Sequence, residues 1–144
     1  MITVLKLTEA TEQGIEDINR LLGQLRENST EPKGSISDLK KITDDQNVAL
    51  VVAQDGERTI GMATLYMVTK FGKRVGYVED VVVDAAYRGK GLGEKIMQTL
   101  VDTARAGGVT TLYLTSRIER VAGNNLYQKL GFEIKETNVY RMKL

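Results

Sequence analysis

Between residues 75 and 114 the hydrophobic pattern changes period twice, and this change restricts the fold more than any other feature of the chain. VGYVEDVVV is a β-branched, largely apolar run of strand length. Directly after it, Leu92, Ile96, Leu100 and Ala104, with Met97 and Val101 beside them, recur at helical spacing, and Gly107-Gly108 supplies a left-handed stop. TTLYLTS then reads as another strand. Strand, helix and strand in that order predict a parallel pair joined by a right-handed crossover.

The segments on either side complete the pattern. ITVLKL reads as a short strand, and Ile15, Ile18, Leu22 and Leu25 predict a helix over residues 11–27. ENSTEPKGS holds the only proline and reads as a loop, with a short helix over residues 36–42 after it. NVALVVAQ and RTIGMATLYMV flank Asp55-Gly56, a tight-turn dipeptide, and Phe71-Gly72-Lys73-Arg74 reverses the chain again into VGYVEDVVV. Near the end, Ile118, Ala122, Leu126 and Leu130 form a helical stripe stopped by Gly131, and FEIKE and NVYRMKL read as two more strands. The expected architecture is α+β: one domain over residues 1–144, with a mixed six- to seven-stranded sheet, antiparallel in its first half, and helices on both faces. Length agrees, since 144 residues suit one core.

Composition removes whole classes of chemistry. The chain has no Cys and no His, which excludes disulfides, thiolate nucleophiles, the usual hydrolytic triads and Cys- or His-ligated metal. No metal site is expected. Lys and Arg number 20 against 19 Asp and Glu, so no global charge draws the protein to nucleic acid or an anionic membrane. No run is apolar enough to span a bilayer, and a cytoplasmic protein is expected. Ser37-Asp38-Leu39-Lys40 matches a serine-hydrolase tetrad but lacks its companion motifs, and Ser35 or Ser37 capping a helix with Asp38 in its first turn explains it.

YRGKGLGEKI joins the central strand to the crossover helix, with three glycines and three cationic residues in ten positions. A helix start presents unpaired N–H groups and the positive end of the macrodipole, and glycines let an anion approach them closely. Gly89, Gly91 and Gly93 are spaced G-x-G-x-G, which is neither the dinucleotide G-x-G-x-x-G nor a P-loop. A phosphate or pyrophosphate is the expected guest.

Arg88-Gly89-Lys90-Gly91-Leu92-Gly93 after VVVD, followed later by Leu126-Tyr127-Gln128-Lys129-Leu130-Gly131-Phe132, resembles the GNAT superfamily of acetyl-CoA-dependent N-acetyltransferases. The resemblance covers most of the chain from Val48 onward. It implies that Arg88, Gly91 and Gly93, with the N–H groups of Gly89, Lys90, Leu92 and Glu94, hold the coenzyme A pyrophosphate. The pantetheine arm would then pair with the backbone of Val81, Val82 and Val83, where two parallel strands splay.

Transfer of acetyl to an amine needs a base for the ammonium and an acid for the departing thiolate. With His and Cys absent a carboxylate is expected as the base, and the resemblance, in which the base often stands on the central strand facing the cleft, implies Glu79 first and Asp80 second; strict alternation would place Tyr77, Glu79, Val81 and Val83 on one face and Asp80 on the other. The resemblance implies that Tyr127 is the acid. Many relatives carry an Asn seven residues before this Tyr; here Arg120 stands there, and Asn124 is the candidate cofactor contact.

The expected activity is direct acetyl transfer to the primary amine of a small molecule in a ternary complex. A protein lysine or N-terminal acetyltransferase, or a nonenzymatic acyl-CoA sensor, are the alternatives. GYVEDVVVD and RGKGLG are also similar to glucosamine-6-phosphate N-acetyltransferases, but Thr115 or Ser116 stands where those carry an acid, so that substrate is not adopted. An exposed edge at the C-terminal strands would allow a homodimer, and the sequence leaves the oligomeric state open.

Overall fold

A computed structural model describes residues 1–26 and 29–144. The strands are β1 (Ile2–Lys6), β2 (Val48–Asp55), β3 (Arg58–Lys70), β4 (Lys73–Val83) and β5 (Thr111–Leu114). The helices are α1 (Glu12–Leu25), α2 (Ile36–Asp44), α3 (Leu92–Ala106) and α4 (Val121–Lys129), with a short 3₁₀ turn over Ala85–Tyr87. The expected end of α1 at Glu27 and the start of the ENSTEPKGS loop, Glu27 and Asn28, lie outside the described residues.

The sheet has the order β1-β2-β3-β4-β5. β1 to β4 pair antiparallel, and β4 pairs parallel with β5 across α3, as the change of period predicts. Gly56 and Gly72 turn the two hairpins with φ of 62° and 74°. Thr11 caps α1 by accepting from the Gly14 N–H, and Ser35 and Asp38 form a reciprocal capping box on α2. Capping therefore accounts for Ser35 and Asp38 in the serine-hydrolase-like tetrad region.

Two layers of helix enclose the sheet. On one face Ile96, Met97, Leu100 and Ala104 of α3 pack on Val51, Ala63, Leu65 and Val78. On the other, Ile18 and Leu21 of α1 and Leu39 of α2 pack on Leu50, Val52, Met62 and Val82. Each fully buried large aliphatic side chain contributes about 1.5–3 kcal/mol. α3 is thus fixed by its apolar stripe rather than by its glycine-rich start.

Two sequence expectations need correction. The sheet has five strands, because residues 132–144 form neither of the two expected C-terminal strands. FEIKE and NVYRMKL carry strand-type alternation, but Ile134, Val139, Tyr140, Met142 and Leu144 are all exposed. Alternation without a partner strand or an apolar layer does not make a strand. Ile118 is also exposed and lies outside α4, which shortens the last helical stripe.

The second correction concerns β4. Met62 pairs with Val82 but Thr64 pairs with Glu79, so Asp80 and Val81 together oppose Ala63. This is a β-bulge. Asp80 has φ 54°, the only positive value outside glycine among the described residues. The extra residue reverses the phase of the strand: Val78 packs toward α3, and Val82, four residues on, packs toward α1. Glu79 therefore shares a face with Leu50 and Thr64, while Val81 and Val83 pack on the α3 side. The expected common face of Tyr77, Glu79, Val81 and Val83 does not exist.

A left-handed backbone costs an L-residue about 1–2 kcal/mol, and Asn and Asp bear it best. Asp80→Val should therefore unfold at lower denaturant than Asp80→Asn, by a difference of about 1–2 kcal/mol, although both lose the carboxylate. Equal stabilities in urea titration would contradict a strained bulge at this position.

Candidate active site

The pairing of β4 with β5 runs from Val75↔Thr111 to Val78↔Leu114 and stops there. β4 continues through the bulge to Val83 without a neighbour on that side, so the strands part where the bulge begins. One edge of residues 81–83 faces the opening. Val83 carbonyl accepts from Arg88 Nε at 3.1 Å.

Beyond β4 the chain makes the 3₁₀ turn and reaches Gly91, the N-cap of α3, at φ 75° with no side-chain cap. α1 and α2 are capped by side chains; α3 is not. Its first intrahelical bond to the cap is Lys95 N–H to Gly91 carbonyl, which leaves the N–H groups of Leu92, Gly93 and Glu94 without helical partners. Gly89 is left-handed too, at φ 79°. Gly93 serves differently: a Cβ there would come within 3.2 Å of Leu126 Cδ2, so it lets α4 approach α3 closely.

A polar cluster beneath this turn holds it to α1. Arg20 pairs with Asp84 and donates to the Thr59 carbonyl at 2.8 Å, and buried Asp17 accepts from the Thr59 N–H at 2.9 Å. Gln24 accepts from the Ala85 N–H at 3.0 Å. Burial opposes the Asp84 charge, but the Ala86 N–H and Arg20 outweigh it and hold the carboxyl below its usual range. Tyr87 hydroxyl donates to Asp55 at 2.8 Å, and Lys90 lies over the Tyr87 ring.

Three cavities meet at Tyr127, one of them, about 660 Å³, lined also by Glu79 and Asn124. Another, of about 750 Å³, is lined by Val81, Val82, Val83, Arg88, Gly89, Gly91, Leu92, Gly93 and Glu94, with Tyr127 at its far end. Nine of the expected cofactor residues thus meet in one groove. Lys90 and Asn124 are not on its wall. Asn124 instead donates to the carbonyls of Arg117 and Arg120, at 2.9 and 2.8 Å, and so pins the start of α4.

The third cavity, about 370 Å³, lies under the bulge. Glu79 and Asp80 line it from β4, Tyr127 from α4, Arg26 from the end of α1, and Arg117 and Arg120 from the segment before α4. Asp80 is held by Arg26 at 2.7 Å. Burial pushes the Glu79 carboxyl above its usual value, the Asp80 charge adds to this, and Arg26 opposes it. Burial also raises the Tyr127 phenol, while the Arg120 charge works the other way. Tyr127 packs edge-on to Phe132, with ring centroids 6.1 Å apart, and lines all three cavities.

An uncapped helix start, a splayed strand edge and a phenol line one groove. The Acetyltransferase (GNAT) family model matches residues 15–132. The chain belongs to the GNAT acetyltransferase family. It is an acetyltransferase, and members of this family take the acetyl group from acetyl-CoA. A glucosamine 6-phosphate N-acetyltransferase of Trypanosoma brucei brucei is 34% identical over 143 residues, covering 94% of this chain and 93% of that one. The Arabidopsis thaliana glucosamine 6-phosphate N-acetyltransferase is 27% identical over 127 residues, covering 80% of each.

Solved GNAT-like structures superpose along the whole chain. A Trypanosoma brucei acetyltransferase matches with TM-score 0.78 and 29% identity, covering 100% of both chains. An aminoglycoside acetyltransferase from an uncultured soil metagenomic sample, in complex with sisomicin, matches with TM-score 0.84 at 16% identity over 99% of this chain and 95% of that one, a likeness of fold.

Arg26 and Arg117 escaped the sequence reading. Arg26 lies in no motif, and its contact with Asp80 spans 54 positions. Its only signal was position, at the end of the first amphipathic stripe.

Gly91→Ala should strain the backbone and weaken coenzyme A binding about tenfold in calorimetric titration, because the added methyl enters the open space in front of the α3 start. Gly56→Ala, at a similar φ of 62° in a remote hairpin, is the control. It should lose comparable stability and keep coenzyme A affinity; equal affinity loss in both variants would remove the anion site from Gly91.

Proposed function

We propose that this GNAT chain acetylates the primary amine of a small phosphorylated amino sugar, by direct attack within a ternary complex. The observation that carries the reading is the small cavity under the bulge, where Glu79 and Tyr127 line the same space and three guanidinium groups stand around it. Its volume falls in the range of small-molecule sites. The Glu79 carboxylate suits an ammonium, and Arg117, on the same wall, suits an anion carried by the same molecule. The similarity to glucosamine 6-phosphate N-acetyltransferases along nearly the whole chain supports that acceptor class, which Thr115 and Ser116 alone argued against.

The chemistry follows from these positions. Acetyl-CoA lies in the groove, with its pyrophosphate at the α3 start and its arm along residues 81–83. Glu79 takes a proton from the acceptor ammonium, directly or through water, and the freed amine attacks the thioester carbon. A C–N bond forms as the C–S bond breaks. Tyr127 gives its proton to the departing thiolate and regains one from the new amide nitrogen, through water, while Glu79 returns its proton to solvent. Glu79 is the better base than Asp80 because Arg26 occupies the Asp80 carboxylate. No covalent enzyme intermediate is needed, and the chain has no Cys or His to form one.

A thiol-release assay with acetyl-CoA tests the acceptor. Glucosamine 6-phosphate should turn over with kcat/KM at least about tenfold above glucosamine, reflecting the anion contact. Turnover confined to lysine peptides would support a protein acetyltransferase instead, and binding of acetyl-CoA without turnover on any amine would support a sensor.

The pH profile tests the base. Glu79 acts ionised, so activity should be full above its raised value and fall as the pH drops through it. The acidic limb of kcat/KM should lie above the ordinary carboxyl value of 4.5. Glu79→Gln should lower turnover by on the order of 10²-fold and abolish that limb while coenzyme A affinity is retained. An undiminished rate would transfer the role to Asp80 or to solvent.

A further inference from the structure

Arg120 stands where many relatives carry an Asn, and its contacts reach across the cleft. Its Nη2 donates to the Leu25 carbonyl at 2.8 Å, a contact between residues 95 positions apart. Leu25 ends α1, so this carbonyl belongs to the last turn, whose acceptors have no helical donors. α1 has no basic residue in its own last turn. The C-cap residue Arg26 pairs with Asp80 and Glu31, and a guanidinium from another element supplies the hydrogen bond to Leu25 and adds a charge that suits the negative end of a helix.

The backbone of Arg120 is fixed as well. Its N–H donates to the Arg117 carbonyl at 3.1 Å, and its carbonyl accepts from both the N–H and the side-chain amide of Asn124. Asn124, the candidate cofactor contact, holds the Arg120 carbonyl. Arg120 and Tyr127 are seven residues apart on one side of α4, and both line the groove and the smaller cavity. Arg120 thus joins the two walls at the junction where, on the proposed function, the thioester meets the amine.

We propose that Arg120 is a positioning residue for acetyl transfer: it clasps the end of α1 to the start of α4 and sets the Tyr127 phenol, with a cation beside it, against the departing sulfur. The inference rests on Tyr127 being the acid. Negative charge develops on that sulfur as the C–S bond breaks, and a guanidinium held in place favours it. Arg26, Glu79, Asp80 and Arg117 share the cavity, and Arg26 is already committed to Asp80.

The test is a double-mutant cycle on the single-turnover rate with acetyl-CoA, using Arg120→Met, Tyr127→Phe and both together. Each single variant should slow the step, and the pair should be slower than either by much less than the product, with a coupling of about tenfold. Arg120→Lys should recover part of the rate by restoring the charge. If Arg120→Met unfolds, Arg120→Gln takes its place in the cycle. Independent, multiplicative effects would overturn the proposal, as would a fall in melting temperature with no loss of rate in the folded variant. Failure of the acid reading is separately visible: Tyr127→Phe with Arg120 intact would then slow acetyl-CoA and a donor with a more acidic thiol equally.

Discussion

The bulge at Asp80 is the constraint on which the rest of the site depends. Holding a non-glycine residue at φ 54° costs about 1–2 kcal/mol, and the ladder on either side of it is otherwise regular. A partly exposed ion pair such as Arg26–Asp80 returns about 1 kcal/mol at most, so it offsets the strain only in part. Burial of Val78 on one face and Val82 on the other is what keeps the bulge in place. Without the extra residue one of those two valines would turn out of its core.

Three consequences come from that single insertion. Val81 and Val83 are turned toward α3, while Glu79, just before the insertion, stays on the α1 face and lines the cavity with Arg26. The chain beyond it leaves its ladder with β5 and lines the groove with a backbone edge that β5 does not pair. The strand end is also aimed at the glycine turn, whose N–H groups face the same groove. Asp84 and Arg20, with Asp17 on Thr59, keep this turn in register with α1, so the two ends of the groove are fixed to one helix. Strain at the bulge and charge at the turn are thus parts of one device.

Much of this was legible in the residues themselves. The crossover helix, the glycine turn and Tyr127 lie in local motifs, where spacing alone reports geometry, and the structure gathers them into one groove. The switch of face between Glu79 and Val81 was not legible, since alternation counts residues and a bulge adds one without any signature such as glycine. The final strands failed for the opposite reason: Ile134, Val139 and Met142 have the right period and no layer to bury them. Arg26 and Arg120 act through partners 54 and 95 positions away, and no local pattern encodes such a contact. The Asn expected near Tyr127 was found one turn along, but as the support of Arg120 rather than on the groove wall.

The central claim is that the uncapped start of α3 and the free edge of β4 beyond the bulge form one ligand-binding surface. Amide hydrogen exchange with and without coenzyme A measures it directly. Added coenzyme A should slow exchange at the N–H groups of Leu92, Gly93 and Glu94 and at the exposed edge of residues 81–83, while the hairpin turns at Gly56 and Gly72 remain unchanged. Protection confined to other surfaces, with these amides exchanging at their free rate under saturating coenzyme A, would contradict the account.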